Sequence, residues 1–80
     1  MAKKKFLLTF PEKLITEPII YNLSAKFNVV FNIRRADVME NKGWVLLELE
    51  GEPANIDKAL AWATRKGVEV APVGGDVIEG

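Results

Sequence analysis

The residues best suited to polar recognition lie close together in the middle of the chain. Arg34 and Arg35 are adjacent, and a guanidinium group can hold a carboxylate through two parallel hydrogen bonds. Asn32 offers two donors and an acceptor among apolar neighbours, which suits the carboxylate and amine of an amino acid. The alternatives are two solvated arginines that discourage aggregation of an edge strand, and an asparagine that occupies a turn or a bulge.

Enzyme chemistry finds little support in the residue types. The chain has no histidine and no cysteine, which excludes thiol chemistry, zinc–thiolate sites, bound iron–sulfur clusters and the commonest general base. Ser24 is the only serine, and without a histidine to act as its base it cannot form a hydrolase triad. Glu48, Glu50 and Glu52 could do acid–base work or hold a cation, but a solvated strand face explains them more simply. We expect a protein that is not an enzyme and that has no metal site and no cofactor.

The charges balance, with 11 basic and 11 acidic residues and a formal net charge of zero. This balance argues against a broad electrostatic grip on nucleic acid or on an anionic membrane. Lys3, Lys4 and Lys5 could bind phosphate groups or solubilise a fraying terminus. No apolar run reaches the ~18 residues of a membrane span, and the apolar stretch after the basic start is too short for a signal peptide. We expect a cytoplasmic protein with no nucleic-acid partner and no direct membrane insertion.

Six elements would position these residues. Alternation of apolar and polar residues predicts strands, and apolar stripes at helical spacing predict helices. The expected strands cover 4–10, 29–39, 44–50 and 68–73. The first expected helix covers 17–27, and the second follows the strand-breaking Gly51-Glu52-Pro53 and runs to about Lys66.

Local signals mark the ends of these elements. Thr16 is expected to cap the first helix, and Pro18 fits its first turn. Asn28 and Gly67 are expected to end the two helices in the left-handed conformation. Gly43 suits the turn of a hairpin that joins the second and third strands.

The order of the elements predicts an α+β, ferredoxin-like βαββαβ fold. Right-handed crossovers would place both helices on one face of a four-stranded antiparallel sheet, with the first and third strands in the centre. The apolar side of the second strand changes near Arg35, which a β-bulge would explain. Pro72 lacks an amide donor and therefore favours an edge position for the fourth strand. We expect a single domain over 1–80, with its core over 4–73 and a loose tail over 74–80.

Two helices cover only one side of such a sheet, so the other side would be left to solvent. An exposed apolar patch often marks an interface, although small domains routinely expose a few apolar side chains. We favour an interface that uses Val30, Trp44 and Leu46. Pairing of two copies through the unprotected edge of the second strand is a further option. The expected sheet residues on the uncovered side are Leu7, Thr9, Val30, Asn32, Arg34, Trp44, Leu46, Glu69 and Ala71.

Several segments have an order and spacing that are similar to those of a known family. They are Leu8-Thr9-Phe10-Pro11, Glu17-Pro18-Ile19-Ile20, Phe27-Asn28-Val29-Val30-Phe31-Asn32-Ile33, Leu47-Glu48-Leu49-Glu50-Gly51, and Ala59-Leu60-Ala61-Trp62 through Lys66-Gly67-Val68-Glu69-Val70. Together, over about 5–73, they resemble the NIL domain, which is named after an Asn-Ile-Leu motif. That domain is typical of the C-terminus of the ATPase subunit of bacterial methionine importers, and it also occurs fused to ferredoxin-type modules.

The resemblance implies a ferredoxin-like fold and a regulatory role. In the importers these domains pair, bind methionine near their interface and thereby inhibit transport. Asn32 and Ile33 correspond to the first two motif residues, whereas Arg34 stands in the place of the motif leucine. This cation changes the shape and specificity expected of the pocket.

Two hypotheses follow for a free-standing domain. In the first, two copies pair and an amino acid such as methionine binds near Asn32, Ile33 and Arg34, against an apolar wall that includes Trp44 and Leu46. In the second, the domain is a protein-interaction module that docks onto a transporter ATPase or a ferredoxin-type redox protein without a small ligand.

Overall fold

Alternating apolar residues build one antiparallel sheet, and amphipathic helices pack on it. The computed structural model describes residues 2–73, so the expected tail over 74–80 lies outside the described residues. The elements in chain order are β1 (Ala2–Pro11), α1 (Glu12–Ile15), α2 (Ile19–Phe27), β2 (Val30–Val38), β3 (Lys42–Gly51), α3 (Pro53–Lys66) and β4 (Glu69–Pro72).

The strands lie in the order β2-β3-β1-β4, and each neighbouring pair is antiparallel. The long central pair runs in register from Ala2 opposite Gly51 to Pro11 opposite Lys42. This arrangement confirms the ferredoxin-like fold class, with β1 and β3 in the centre and β2 and β4 at the edges. None of the helices within residues 2–73 combines the length and the apolar character that a membrane crossing requires.

The core lies between the helices and the sheet face that carries the apolar residues of β1 and β3. Leu8, Leu47 and Leu49 are fully buried there. Val70 of the edge strand β4 is half-buried and packs against this core. The helices contribute Leu14, Ile19, Leu23, Ile56, Ala59 and Ala63 to the same cluster.

The helix ends follow the local signals in two places. Asn28 ends α2 with φ 55° and ψ 50°, and Gly67 ends α3 with φ 114°. Both positions confirm the predicted left-handed exits. Pro53 stands at the start of α3, where no backbone donor is lost.

The start of the first predicted helix was wrong. The chain instead forms the short helix α1, and Thr16 ends it rather than capping α2. Pro18 precedes α2, which begins at Ile19. Leu14 explains the extra turn, because folding the chain back after Pro11 buries this side chain in the core.

Two strands begin earlier than predicted. β1 begins at Ala2, so Lys3, Lys4 and Lys5 belong to a paired strand rather than to a fraying terminus. β3 begins at Lys42, and Gly43 is a strand residue that does not adopt a positive φ. The hairpin is closed before it, where the Met39 amide donates to the Lys42 carbonyl at 2.7 Å.

The predicted bulge in β2 is confirmed. Ile33 lies opposite Leu47, while Arg35 lies opposite Leu46, so Arg34 is an extra residue in the strand. The extra residue reverses which side of β2 each later residue faces. The bulge therefore changes the polarity pattern of β2 in mid-strand.

Candidate functional site

The side of the sheet away from the helices, here the open face, is organised in rows of paired residues. One row runs Asn32, Glu48, Lys5 across three strands. The next row runs Arg35, Leu46, Leu7, Ala71, and a third runs Asp37, Trp44, Thr9, Glu69. Because paired residues share a face, these rows place charged and apolar side chains side by side.

One half of the open face is apolar. Leu7, Trp44 and Leu46 are half-buried although no helix covers them. Leu7, Thr9 and Trp44 line a shallow cavity of about 430 Å³ beside the hairpin, together with the exposed Met39. Leu46 lies next to this cavity as the cross-strand partner of Leu7. This half offers an apolar wall of the size that a small aliphatic or thioether side chain could cover.

The other half carries residues of opposite charge that face each other across neighbouring strands. Lys5 lies directly opposite Glu48, and Lys3 lies directly opposite Glu50. Opposite charges in such cross-strand pairs stabilise a sheet modestly. Within residues 2–73, the acidic side chains do not converge in a group that could hold a metal ion.

Arg34 and Glu48 lie where the charged half of the open face meets the apolar half. The Nη1 atom of Arg34 lies 3.6 Å from Oε1 of Glu48, and their side chains are 47% and 16% exposed. The bulge inserts Arg34 between Ile33, which lies opposite Leu47, and Arg35, which lies opposite Leu46 at the boundary of the apolar half. The result is a carboxylate and a guanidinium beside an apolar wall.

The structure separates the residues that the sequence grouped into one site. Asn32, Arg34 and Leu46 meet around Glu48, and Trp44 follows along β3. Val30 lies opposite Glu50, six residues along β3 from Trp44, or about 20 Å at ~3.3 Å per residue.

Ile33 lies apart from this group for a different reason. It lies opposite the core residue Leu47 and so belongs to the helix side of the sheet, although its place in the edge strand leaves it 47% exposed. Ile33 and Val30 are therefore surface residues of the edge strand rather than walls of the cluster around Glu48.

Glu48 is the residue that the sequence analysis undervalued. Its alternation with Leu47 and Leu49 placed it on the open face, where a solvated carboxylate was expected. It is instead largely covered by its neighbours, because it stands in a central strand between Asn32 and Lys5. The pairing of rows across the sheet, rather than the strand pattern alone, reveals this position.

The outer edge of β2 is open. Within the described residues β2 pairs with β3 alone, and every residue of β2 except Phe31 is exposed. The apolar side chains of Val30 and Val38 are 63% and 61% exposed. A nine-residue edge of this kind can accept a further strand.

A second apolar surface lies on the helix side and was not predicted. A groove of about 250 Å³ runs between α1, α2 and the end of the hairpin, lined by Phe10, Leu14, Ile20, Tyr21 and Val38 among others. Tyr21 is 66% exposed beside it. This groove lies across the sheet from the cluster around Glu48.

The fold and the family are shared with known proteins. No curated protein sequence matches the chain. Among solved structures, the chain is similar to the C-terminal domain of an ABC transporter ATP-binding protein from Enterococcus faecalis, with a TM-score of 0.78 and 24% sequence identity. That match covers 90% of this chain and 84% of the other and supports the fold. The family model of the NIL domain matches residues 4–72, and the chain therefore belongs to the NIL domain family.

Proposed function

We propose that this chain is a regulatory, non-enzymatic domain that senses an amino acid, with methionine as the first candidate. The observation that carries the proposal is that the strand register sets a polar cluster (Asn32 and Arg34, around Glu48) beside the apolar residues Leu46 and Trp44 of the open face. Membership of the NIL family and the likeness to a transporter ATPase domain support a regulatory role beside a transporter ATPase.

The two halves of the open face bind different parts of the ligand. Arg34 binds the ligand carboxylate, because a guanidinium forms paired hydrogen bonds with it. Asn32 stands one row away and supplies further donors and an acceptor. The ligand side chain lies along Leu46 toward Trp44, where the shallow cavity begins.

Two copies pair through the open edge of β2 in this proposal. Val30 and Ile33 contact the second copy, which accounts for exposed apolar side chains on both faces of one edge strand. Asn32 and Arg34 lie on the same strand, so the ligand binds close to the interface. A ligand that binds the pair more tightly than the single chain shifts the population toward the pair.

A thermal-shift screen of the standard amino acids at millimolar concentration tests this function. A ligand present at about one hundred times its Kd adds ~2.7 kcal/mol of stability, which raises Tm by several degrees in a domain of this size. We expect a selective rise with methionine that Asn32→Ala reduces. The matched control Asn22→Ala, at an exposed position of α2, keeps the rise. Absence of a shift with every amino acid refutes the sensor function.

A second function is favoured by the apolar groove on the helix side. In this alternative the domain docks onto a transporter ATPase or a ferredoxin-type protein and binds no small ligand. The exposed Tyr21 and Val38 beside the groove, or the half-buried Trp44 on the open face, would contact the partner. Calorimetric titration with such a purified partner checks it, because loss of a central aromatic contact weakens binding by more than ~1–2 kcal/mol. If neither Tyr21→Ala nor Trp44→Ala weakens the complex, docking does not use these surfaces.

A further inference from the structure

We propose that Glu48 makes the open face selective for α-amino acids, by binding the ligand's ammonium group while Arg34 binds its carboxylate. This inference rests on the proposed function, because it names a new recognition residue for that same site. It also defines the ligand class by charge: a zwitterion with both charges on one carbon and an apolar side chain.

The position of Glu48 is the first argument. Its side chain is only 16% exposed, although it lies on the face that no helix covers. A carboxylate in such a place needs charged or hydrogen-bonding neighbours. It has them in Arg34, and in Asn32 and Lys5 directly opposite on the flanking strands. The fold thus holds one anion at a fixed point of the site.

The distance to Arg34 is the second argument. Charge-assisted hydrogen bonds between nitrogen and carboxylate oxygen measure about 2.7–2.9 Å. The Nη1 and Oε1 atoms here are 3.6 Å apart, so the ion pair is loose. A zwitterion can replace it with two shorter contacts, ammonium to Glu48 and carboxylate to Arg34. The ligand then loses little by opening the pair that it displaces.

The third argument is the direction in which a bound ligand must extend. Leu46 lies two residues from Glu48 on the same face, and Leu7 lies beside Leu46 on β1. Two residues along a strand span about 6.6 Å. A ligand whose charged carbon sits beside Glu48 and Arg34 therefore needs a side chain several atoms long, such as that of methionine, to cover the apolar wall.

Charge balance explains why a simple carboxylic acid is a poorer ligand. Arg34 and Arg35 attract any carboxylate. When Arg34 turns to the ligand, however, a ligand with an uncharged or acylated amine offers Glu48 no cation to replace it. The structure accordingly assigns affinity to the arginines and selectivity for the free amine to Glu48.

Calorimetric titration of the full chain with three probes tests this assignment: L-methionine, N-acetyl-L-methionine and L-methionine methyl ester. We expect the wild type to bind L-methionine about tenfold or more tightly than either derivative. In Glu48→Gln the affinities for L-methionine and the N-acetyl derivative converge to within about threefold, while the ester stays weak. Glu50→Gln, one row away on the same face, is the matched control and keeps the wild-type preference.

Each outcome separates this inference from the function on which it rests. If the wild type binds none of the probes, both the sensor function and the role of Glu48 are wrong. If it binds L-methionine and the N-acetyl derivative equally, sensing stands and the role of Glu48 is overturned, whether or not Glu48→Gln folds. The role is also overturned if folded Glu48→Gln keeps the preference, or if it loses all three probes.

Discussion

At position 67 the backbone has φ 114° and ψ 9°, a conformation that side chains of L residues rarely adopt. A Cβ atom added here would also lie 3.4 Å from Cδ1 of the buried Leu14. Gly67→Ala is therefore expected to destabilise the domain by about 1–3 kcal/mol. Urea denaturation measures the change, and Asn28→Gly, at the other left-handed helix end, is the control. An unchanged midpoint for Gly67→Ala would show that the backbone relaxes.

Ser24 has a structural use that its hydroxyl alone did not suggest. Its Oγ atom donates to the Val29 carbonyl at 2.6 Å and so ties the end of α2 to the chain entering β2. We expect Ser24→Ala to cost about 0.5–1.5 kcal/mol in urea denaturation. Thr64 also donates to a backbone carbonyl, that of Leu60, but does so within α3 and at the surface. Thr64→Ala should change stability little, because alanine is the better helix former. Equal losses from both substitutions would contradict the bridging role.

Residue by residue, the sequence predicted conformation better than environment. Asn28 and Gly67 were assigned correctly because their backbone preferences are local properties. Glu48 was expected to be solvated, since alternation shows which face a residue occupies and not how far its neighbours cover it. The covering of Glu48 depends on the registers of three strands, which no local pattern specifies.

Among the elements, the long ones were predictable and the shortest was not. Strand alternation and helix stripes repeat several times in β1, β3 and α3, so their periods are clear. α1 has four residues, little more than one turn, and offers no period to detect. The bulge in β2 was predictable because it reverses the apolar side of a strand long enough to show both halves.

The edge of β2 yields a prediction at the same scale. Ile33→Lys adds a third cation next to Arg34 and Arg35, and charge on an edge strand opposes pairing with another copy. We expect this variant to sediment as a monomer at concentrations where the wild type sediments as a dimer. Ala71→Lys on β4 is the matched control and leaves the dimer intact. Monomeric wild type at every concentration would exclude edge pairing.

For the molecule as a whole, association and stability should be coupled. A chain of 80 residues buries a smaller share of its surface than larger domains do, so its margin of stability is small. Pairing adds buried surface that only the folded chain offers. We therefore expect Tm to rise with protein concentration in scanning calorimetry, as mass action requires for a folded dimer. The Ile33→Lys variant should show a Tm that does not depend on concentration.

The two edge strands of the sheet differ in length, and this difference limits how many copies could join edge to edge. β2 presents nine residues at its open side, whereas β4 has four and ends at Pro72, which cannot donate a hydrogen bond. In the language of polymer chemistry, each chain as described over residues 2–73 is a monofunctional monomer. It has one reactive site, the open edge of β2, so joining two copies uses the reactive site of each and stops further growth. The edge pairing proposed above would therefore stop at two copies, because β4 offers no comparable edge to a third.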